Sequence, residues 1–482
     1  MAPAPDFVPI LRTWDAATLP TQRRSAHLVG ICGAGMSALG AMLLDLGWFV
    51  SGSDLQPTEL LSQSFLRRGV GIQRGHDVVL LPPRTDVLVY SAAIPAANPE
   101  REAARRLNIP EMSYSQMLGE LMRSRTGVCI AGTHGKSTTS AMVASVLLKS
   151  GRDPSACIGA ELCELGKSGW AGGSELFVVE SCEYRRSFLD FSPSFAAILS
   201  VEPDHFDYFR DFDETLEAFR QFAARVRPTG LVVVRGDCAA AVAAARGASA
   251  RVETFSLGTG SDWGASELRP TPDGIRFRTF HGSEFFSEFS LRVPGRHNVL
   301  NALAAIALCH ALGVPSADMV ASLASFRGVR RRFEYMGTWR GITLLDDYAH
   351  HPTEVQATLR AARERFGGRR LWCVFQPHQV SRTRALLREF AESFELADEL
   401  LIAPVYAARE TSDANHDFIA QELAQLIAAS GGRARFCPDL DRIRATLEDE
   451  ARPGDVVMTM GAGDIDRVHH EFTRRLQRNL AS

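Results

Sequence analysis

The chain repeats one local pattern: a short apolar run rich in β-branched residues, a turn that contains glycine, and then a helical stretch. The first copy runs from a predicted strand at 27–31 through the glycine turn 32–35 into a predicted helix over 36–46. Strands that alternate with helices in this way form parallel sheets with helices on their faces. The pattern therefore predicts an α/β fold built on mostly parallel sheets.

Length and composition set the number of domains and exclude several classes of protein. The 482 residues include 53 Lys+Arg against 56 Asp+Glu, and 45% are hydrophobic. At roughly 100–200 residues per domain, this length predicts about three domains. The near-neutral charge argues against nucleic acid as a partner. No apolar run reaches the roughly 18–20 residues that span a bilayer, so we expect no membrane partner.

The segment from Met1 to Gln22 has no charged start followed by an apolar core. We therefore expect no signal peptide and a cytoplasmic location. Breaks in the strand–helix pattern divide the chain, and we predict domains over 1–122, 123–328 and 329–482. Within the second of these, the Gly/Ser/Thr-rich stretch 256–289 predicts β-hairpins.

Cysteine and lysine usage both bear on the chemistry. The nine cysteines are scattered and never spaced as CxxC, which favours reduced thiols over disulfides or a zinc site. There are only three lysines, Lys136, Lys149 and Lys167, so any lysine chemistry must use one of them.

The strongest local motif is AGTHGKSTT at 131–139, between a predicted strand and a predicted helix. Backbone N–H groups of such a loop, together with the helix N-terminus, form a cradle for an anion. Lys136 would reach the β- and γ-phosphates of a nucleotide, and the Ser137 hydroxyl would meet Mg²⁺. The spacing is tighter than in the general P-loop, and the alternative is a glycine loop with a structural role alone.

A second glycine turn has the spacing Gly30-x-x-Gly33-x-Gly35, and Asp54 follows at the end of the next predicted strand. This layout is typical of nucleotide-binding α/β units, but the spacing is not GxGxxG. It favours a ligand that carries a diphosphate without assigning NAD, and a turn that serves only helix packing explains it equally well.

Polar residues follow other predicted strands, at the edge where α/β sheets bind ligands. Glu180 ends one strand, and Glu202, Asp204 and His205 follow another, so Glu180 and His205 are candidates to complete a Mg²⁺ shell begun by Ser137. Helix capping is the alternative for these acids. His297, Asn298 and Asn301 are candidates to hold an adenine edge, with N-capping as the alternative for the asparagines.

Two loops of the third unit, at 346–354 and 375–384, are rich in His, Asp and Arg. Arginine suits bidentate binding of carboxylate or phosphate. A zinc site at the His350–His351 pair is not favoured, because no cysteine or third ligand stands at zinc spacing. A solvated charged loop is the alternative for each piece taken alone.

Taken together, these motifs resemble the Mur ligases, the ATP-dependent amide-forming enzymes of bacterial cell-wall precursor synthesis. The likeness runs from about His27 to Asp464. The matching pieces are GICGAGMS at 30–37, AGTHGKST at 131–138, PGRHN at 294–298 with Asn301, RRF at 331–333, DDYAHHPTE at 346–354 and FQPH at 375–378 with Arg382 and Thr383. The last two are most similar to the alanine-adding branch of the family.

The resemblance implies three domains: an N-terminal Rossmann-like domain that binds UDP, a central P-loop ATPase domain with a mostly parallel sheet, and a C-terminal Rossmann-like domain. It implies a site for the UDP-sugar at Gly33, Ala34, Gly35, Met36, Ser37, Asp54, His76 and Ser91. It implies a site for ATP at Gly132, Thr133, His134, Gly135, Lys136, Ser137, Thr138, His297, Asn298, Asn301, Arg332 and Asp347. It implies catalytic roles for Lys136, Glu180 and His205, metal ligation by Ser137, Glu180 and His205, and an amino-acid site at Tyr348, His350, His378 and Arg382.

The implied activity is ligation of L-alanine to UDP-N-acetylmuramate through an acyl phosphate, with ATP and Mg²⁺. The substrates are then small molecules, and we expect a monomer or a weak homodimer. The proton of the attacking amine goes to His205 or to His350. No lysine follows Lys167, so the carbamylated lysine of later-acting family members has no counterpart here.

The chain departs from the family pattern at two places. An acidic run like EADESD is usual after the central strand, but here 180–186 reads ESCEYRR; the family often has Arg where this chain has Gln379. Three other functions stay open: a ligase that recycles a murein tripeptide, a non-catalytic sensor of UDP-sugars, and a nicotinamide oxidoreductase. A nicotinamide oxidoreductase would leave the glycine loop at 131–139 unexplained.

Overall fold

The computed structural model describes residues 24–408, 410 and 416–472 of the chain. The segment from Met1 to Gln22, where we expect no signal peptide, lies outside these residues, as do the first part of the range 1–122 and the last part of 329–482. No helix in the described residues combines the length and the apolarity that crossing a membrane requires.

The described residues form three β-sheets with helices between the strands, which confirms the predicted α/β fold class. The first sheet contains β1 (Ser25–Val29), β2 (Phe49–Asp54), β3 (Ile72–Arg74), β4 (Val87–Tyr90) and β5 (Glu111–Ser113). Its helices are α1 (Ala34–Asp45), α2 (Glu59–Leu66), α3 (Pro99–Arg106) and α4 (Tyr114–Met122), with a 3₁₀ turn at Val78–Leu80. All strands are parallel in the order β3-β2-β1-β4-β5. The order reverses between β1 and β4, which opens a crevice for a ligand at the carboxyl edge.

The central sheet has ten strands. They are β6 (Thr126–Ala131), β7 (Ser155–Leu162), β8 (Lys167–Trp170), β9 (Leu176–Glu180), β10 (Phe195–Ile198), β11 (Leu231–Arg235), β12 (Arg251–Leu257), β13 (Trp263–Thr271), β14 (Gly274–His281) and β15 (Glu284–Leu291). Its helices are α5 (Lys136–Lys149), α6 (Phe212–Ala224), α7 (Ala239–Ala245), α8 (Arg296–Ala311) and α9 (Ser316–Ser325), with a 3₁₀ segment at Tyr184–Asp190.

The strand order of the central sheet is β15-β14-β13-β12-β11-β10-β6-β9-β7-β8. The middle of the sheet is parallel, while β13, β14 and β15 are antiparallel, which confirms the predicted hairpins. Because β6, β9 and β10 lie side by side, the loops that follow them meet at one edge of the sheet.

The third sheet has the order β16-β17-β21-β18-β19-β20 and is parallel except for β16 at its edge. Its strands are β16 (Glu334–Trp339), β17 (Ile342–Asp347), β18 (Leu371–Phe375), β19 (Glu399–Ile402), β20 (Ala434–Phe436) and β21 (Val456–Met460). Its helices are α10 (Pro352–Phe366), α11 (Val380–Ala385), α12 (Leu387–Glu392), α13 (His416–Ala429) and α14 (Leu440–Glu450).

The first two sheets are joined by a shared core, in which α1 packs against β7 and β8. The closest approach is at Gly169 of β8, where an added Cβ would lie 2.0 Å from the carbonyl oxygen of Ala38 in α1. This contact holds the glycine turn of the first sheet in a fixed position relative to the central sheet. The third sheet has apolar clusters of its own.

We expect Gly169→Ala to lower the free energy of unfolding by about 1–3 kcal/mol, because α1 must move away from β8 to admit the methyl group. Urea denaturation followed by circular dichroism measures the change. Gly71→Ala is the control, because a Cβ at Gly71 meets no atom within 4 Å, and its effect should stay within about 0.5 kcal/mol. Indistinguishable unfolding curves for the two variants would contradict this packing.

Candidate active site

The glycine loop at 131–139 follows β6 at the carboxyl edge of the central sheet and leads directly into α5. Gly132 and Gly135 have φ angles of 142° and 81°, in the region that favours glycine. A Cβ on Gly135 would lie 2.4 Å from the side-chain oxygen of Asn301 in α8, so this position has no room for a side chain. The loop has the geometry in which backbone N–H groups at a helix start surround an anion.

Lys136 is folded back onto its own loop. Its ammonium group donates to the carbonyl oxygen of Thr133 at 3.1 Å and to Oε2 of Glu183 at 2.9 Å. Burial disfavours the charge, but Glu183, Cys182 and Glu180 together outweigh it and raise the pKa of Lys136. The lysine is therefore a fixed cation in the cleft, and the phosphates of a nucleotide would compete with Glu183 for it.

Ser137 and Glu180, two of the residues predicted to bind the metal, are in direct contact. The Ser137 hydroxyl donates to Oε1 of Glu180 at 3.0 Å, and the Gly159 N–H donates to Oε2 at 2.6 Å. A hydroxyl and a carboxylate are hard oxygen ligands of the kind that Mg²⁺ prefers. These two residues fit one side of a magnesium shell.

His205 lies beside Glu183 and Cys182 in the structure. Its Nε2 is 3.5 Å from Oε1 of Glu183, and its φ of 55° places it in the left-handed region. Burial lowers the pKa of His205, but hydrogen bonds to Cys182 and Glu183 and the charge of Asp204 raise it to about 10. The metal role of His205 therefore stays a prediction, while its position beside Glu183 is a finding.

A pocket between the central and third sheets brings together most of the residues predicted to bind ATP. Those that line it are His134, Gly135, Ser137, Thr138, His297, Asn298, Asn301, Arg332 and Asp347. Burial lowers the pKa of His297 to about 4, which leaves its ring neutral. The Asn298 amide donates to the carbonyl oxygen of Pro294 at 2.7 Å, and its oxygen accepts from Asn301 at 3.2 Å. Asn298 is thus engaged in holding the start of α8.

Asp347, at the other wall of the pocket, also holds neighbouring parts of the chain in place. Its two oxygens accept the N–H groups of Phe333 at 2.7 Å and Ala349 at 2.8 Å. Burial raises its pKa. Arg332 lies 3.8 Å from Glu354, and the charge of Glu354 helps to raise the pKa of Arg332 against the effect of burial.

Charged contacts across the cleft hold the third sheet against the central one. His134 of the glycine loop lies 3.1 Å from Glu354 and 3.3 Å from Glu202, and Thr353 donates to Glu202 at 2.7 Å. Burial lowers the pKa of His134, but the two carboxylates outweigh it and raise the pKa to about 9. At neutral pH, His134 is therefore a cation that lies between Glu202 of the central domain and Glu354 of the third domain.

The residues predicted for the amino acid form one cluster on the C-terminal side of the cleft. The ring centroids of Tyr348 and His350 are 5.4 Å apart, and those of His350 and His378 are 5.7 Å apart. Arg382 is 3% exposed at its side chain, lies 3.1 Å from Nδ1 of His378, and donates to Asp204 at 2.8 Å. Asp204 precedes His205, so this ion pair connects the cluster to the phosphate loop.

The predicted UDP-sugar residues lie at the carboxyl edge of the first sheet, with one exception. Asp54 accepts the N–H of Cys32 at 2.9 Å, and an added Cβ on Gly30 would lie 3.2 Å from the Cβ of Ser91. Gly33, Ala34, Gly35 and Ser37 occupy the turn and the start of α1. The Met36 side chain instead packs in the core.

Arg185 and Arg186, which are unexpected for the family pattern, have structural partners. Arg185 donates to the carbonyl oxygen of Ala92 in the first domain at 2.8 Å. Arg186 donates to Glu214 of α6 at 3.3 Å. Both have positive φ angles, 53° and 56°. They tie the loop after β9 to its neighbours on both sides.

Three family models match the chain, one for each sheet. The Mur ligase family catalytic domain matches residues 25–126, the Mur ligase middle domain matches 130–309, and the Mur ligase glutamate ligase domain matches 331–463. The chain belongs to the Mur ligase family.

Two similar curated proteins carry the same name. The UDP-N-acetylmuramate–L-alanine ligase of Desulfitobacterium hafniense is 40% identical over 448 residues, which is 92% of this chain and 98% of that protein. The protein of the same name from Kineococcus radiotolerans is 41% identical over 456 residues, or 93% of this chain and 96% of the relative.

Solved structures of two Mur ligases are similar to this one over most of their length. The crystal structure of UDP-N-acetylmuramate-alanine ligase from Thermotoga maritima has a TM-score of 0.80 and 27% identity, and covers 94% of this chain and 99% of its own. A murein peptide ligase from Psychrobacter arcticus has a TM-score of 0.73 and 25% identity, and covers 94% and 98%.

Several acids of this Mur ligase contact predicted site residues but were not themselves predicted. They are Glu183 beside Lys136, Glu202 and Glu354 beside His134, and Glu100 beside His76. The acid at Glu183 was visible in the ESCEYRR run. Glu202 follows a predicted strand and Glu354 ends the DDYAHHPTE motif, but the contact of each with His134 depends on how distant loops meet in space. Glu100 lies in no motif.

Glu100 of α3 is fully buried under the predicted UDP-sugar site. Its carboxylate lies 2.9 Å from Nδ1 of His76 and 2.6 Å from Nε2 of His27, and it accepts from Ser53 at 2.8 Å. Because Nδ1 of His76 faces Glu100, Nε2 is the nitrogen available to a ligand. Glu100 thus sets the orientation of His76.

We expect Glu100→Gln to weaken binding of UDP-N-acetylmuramate by roughly 10- to 100-fold, the value of one hydrogen bond to a charged group. Titration calorimetry measures the affinity, and the thermal unfolding midpoint checks the fold. Glu102→Gln, at an exposed position of the same helix, is the control. Wild-type affinity in a folded Glu100→Gln protein would refute this role for Glu100.

Proposed function

We propose that this Mur ligase joins L-alanine to the lactyl carboxylate of UDP-N-acetylmuramate with consumption of ATP, in cytoplasmic synthesis of peptidoglycan precursors. The observation that carries the proposal is a continuous chain of charged contacts through the cleft. It runs from Lys136 through Glu183 and His205 to the adjacent Asp204, and from Asp204 to Arg382 in the cluster predicted to bind the amino acid. The names of the relatives support L-alanine as the amino acid.

The glycine loop and Lys136 would hold the phosphates of ATP, and the pocket lined by His297 and Asn301 would hold its base. The lactyl carboxylate attacks the γ-phosphorus, the bond to the β-phosphate oxygen breaks, and ADP leaves. The carboxylate and the triphosphate, both anions, must approach each other in this step, and the positive charge of Lys136 lowers their repulsion. Ser137 and Glu180 would bind Mg²⁺, and His205 would join them only after losing its proton. When bound, the ion supplies further neutralisation of phosphate charge.

The amine of L-alanine then attacks the acyl phosphate, phosphate leaves, and the amine loses a proton. Of the two candidate acceptors, the structure favours His350. Burial lowers its pKa to about 4, so the ring is neutral, whereas His205 is already protonated at neutral pH. Nδ1 of His350 lies 2.8 Å from the carbonyl oxygen of Tyr348, so Nδ1 carries the proton and Nε2 has a free lone pair.

Phosphate release from ATP tests the proposal, measured with Mg²⁺ and UDP-N-acetylmuramate in the presence and absence of L-alanine. Glycine, L-serine and the murein tripeptide run in parallel, and mass spectrometry identifies the products. We expect release that needs both substrates and a product heavier by one alanyl residue. Release with the tripeptide alone would assign the recycling reaction, and binding of the nucleotide sugar without release would assign a sensor.

We expect Lys136→Ala to lower the ligation rate by at least about 100- to 1,000-fold, because a fixed donor to the transferred phosphate is lost. Binding of UDP-N-acetylmuramate, measured by calorimetry, should persist. Lys149→Ala is the matched control, since Lys149 lies in the last turn of the same helix and contacts Ser325 and Glu164. Near-normal turnover by Lys136→Ala would refute the assignment.

A further inference from the structure

Cys182 differs from the other eight cysteines of the chain, because it is the exposed one. It stands two residues after Glu180, in the loop that follows β9. Its sulfur, a carboxylate oxygen of Glu183 and a ring nitrogen of His205 all lie within 4.8 Å of one another. The three atoms belong to a thiol, a carboxylate and an imidazole, which lie close enough together to share one ion.

These three groups are ligands that zinc uses in proteins. In a tetrahedral zinc site the bond lengths place neighbouring ligand atoms roughly 3.3–3.6 Å apart. The distance of 3.5 Å between Nε2 of His205 and Oε1 of Glu183 already has this value. The sulfur of Cys182 lies within 4.8 Å of both atoms on an exposed residue, so a rotation of that side chain would bring it to this spacing.

Two of the three ligands are held in place by the fold. Glu183 is 2% exposed at its side chain, and its oxygens accept from Lys136 at 2.9 Å (Oε2) and 3.3 Å (Oε1). His205 is fixed by its left-handed backbone and by Tyr184, whose ring centroid lies 5.0 Å away. A cation that binds here has little ordering entropy to overcome, because only Cys182 must change its conformation.

The local charge also favours a dication. Glu180 and Glu183 contribute two negative charges, Lys136 and the protonated His205 contribute two positive charges, and Asp204 is compensated by Arg382. Metal binding removes the protons of His205 and of the Cys182 thiol, which leaves two negative charges in excess for a dication to neutralise. The magnesium set predicted from the sequence contains His205 but no sulfur, and Mg²⁺ prefers oxygen ligands, so the sulfur selects for softer ions.

We propose that Cys182, Glu183 and His205 form a binding site for a thiophilic divalent cation of the zinc and cadmium class, and that its occupancy inhibits the enzyme. The binding stands on the geometry alone. The inhibition rests on the proposed function. The bound ion would keep Glu183 and His205 in place beside Lys136. It would also put a positive charge next to Lys136, which must leave Glu183 to contact the nucleotide phosphates.

Titration of the nucleotide-free full-length chain with Cd²⁺ tests the binding, followed by the thiolate-to-cadmium charge-transfer absorbance in the ultraviolet. We expect one equivalent to bind and Cys182→Ser to weaken binding by at least about tenfold. Cys238→Ser, at a part-buried position outside the cluster, should keep the wild-type titration. Thermal unfolding midpoints verify that the variants are folded. Identical titrations for wild type and Cys182→Ser would overturn the proposal.

Zn²⁺ inhibition tests the second half, with each variant normalised to its own zinc-free rate of phosphate release. We expect Cys182→Ser to need at least about tenfold more Zn²⁺ for half inhibition. Equal sensitivity of the two proteins, despite cadmium binding through Cys182, would overturn the inhibitory role. If no substrate set supports phosphate release, the proposed function fails, while the cadmium titration still decides the binding site.

Discussion

The ion pair between Lys136 and Glu183 is the interaction on which the arrangement of the cleft depends. A lysine confined beside a phosphate loop needs a counter-charge when no phosphate is present, because an uncompensated buried charge is strongly destabilising. Both oxygens of Glu183 accept from Lys136, and Oε1 also lies 3.5 Å from Nε2 of His205. The loop after β9 and the loop after β10 are therefore both positioned by a single buried carboxylate.

A second buried pair extends this arrangement into the third domain. Arg382 and Asp204 are 178 positions apart in the chain, and both side chains are more than nine-tenths buried. His134 adds a cation between Glu202 and Glu354, one acid from each side of the cleft. Among the residues that the structure describes, the apolar clusters of the C-terminal domain include none from the central domain. Polar contacts around the site hold the two domains together. Contacts of this kind can be exchanged for those of charged substrates, which suits a cleft that must open and close.

Much of the fold could be predicted from the sequence, because the strand–turn–helix signals are local. The glycine loop, the helix after it and the hairpins near 256–289 follow from such signals. The edge strands β8 and β16 were not predicted, since a short antiparallel edge has no strong apolar run. Met36 belongs to a matched motif, yet its side chain faces the core, because a motif does not specify the direction of each residue.

The site was harder to predict than the fold, for a physical reason. Motifs indicate which residues follow strands, but a charge network depends on which loops meet in space. Asn298 and Asp347 were predicted as ligand contacts, and in the structure their polar atoms hold neighbouring backbone and side-chain groups. Glu100 lies in no motif and Glu354 ends one, but the contacts of these acids with His76 and His134 depend on which parts of the chain meet in space.

The measurement that tests the central account most directly is the fate of a labelled carboxylate oxygen. UDP-N-acetylmuramate carrying ¹⁸O in its lactyl carboxylate is incubated with the enzyme, ATP, Mg²⁺ and L-alanine, and the released phosphate is analysed by mass spectrometry. An acyl phosphate requires that one ¹⁸O atom passes from the carboxylate to phosphate for each amide formed. Amide formation with unlabelled phosphate would contradict the acyl-phosphate route and the role given to Lys136 in it.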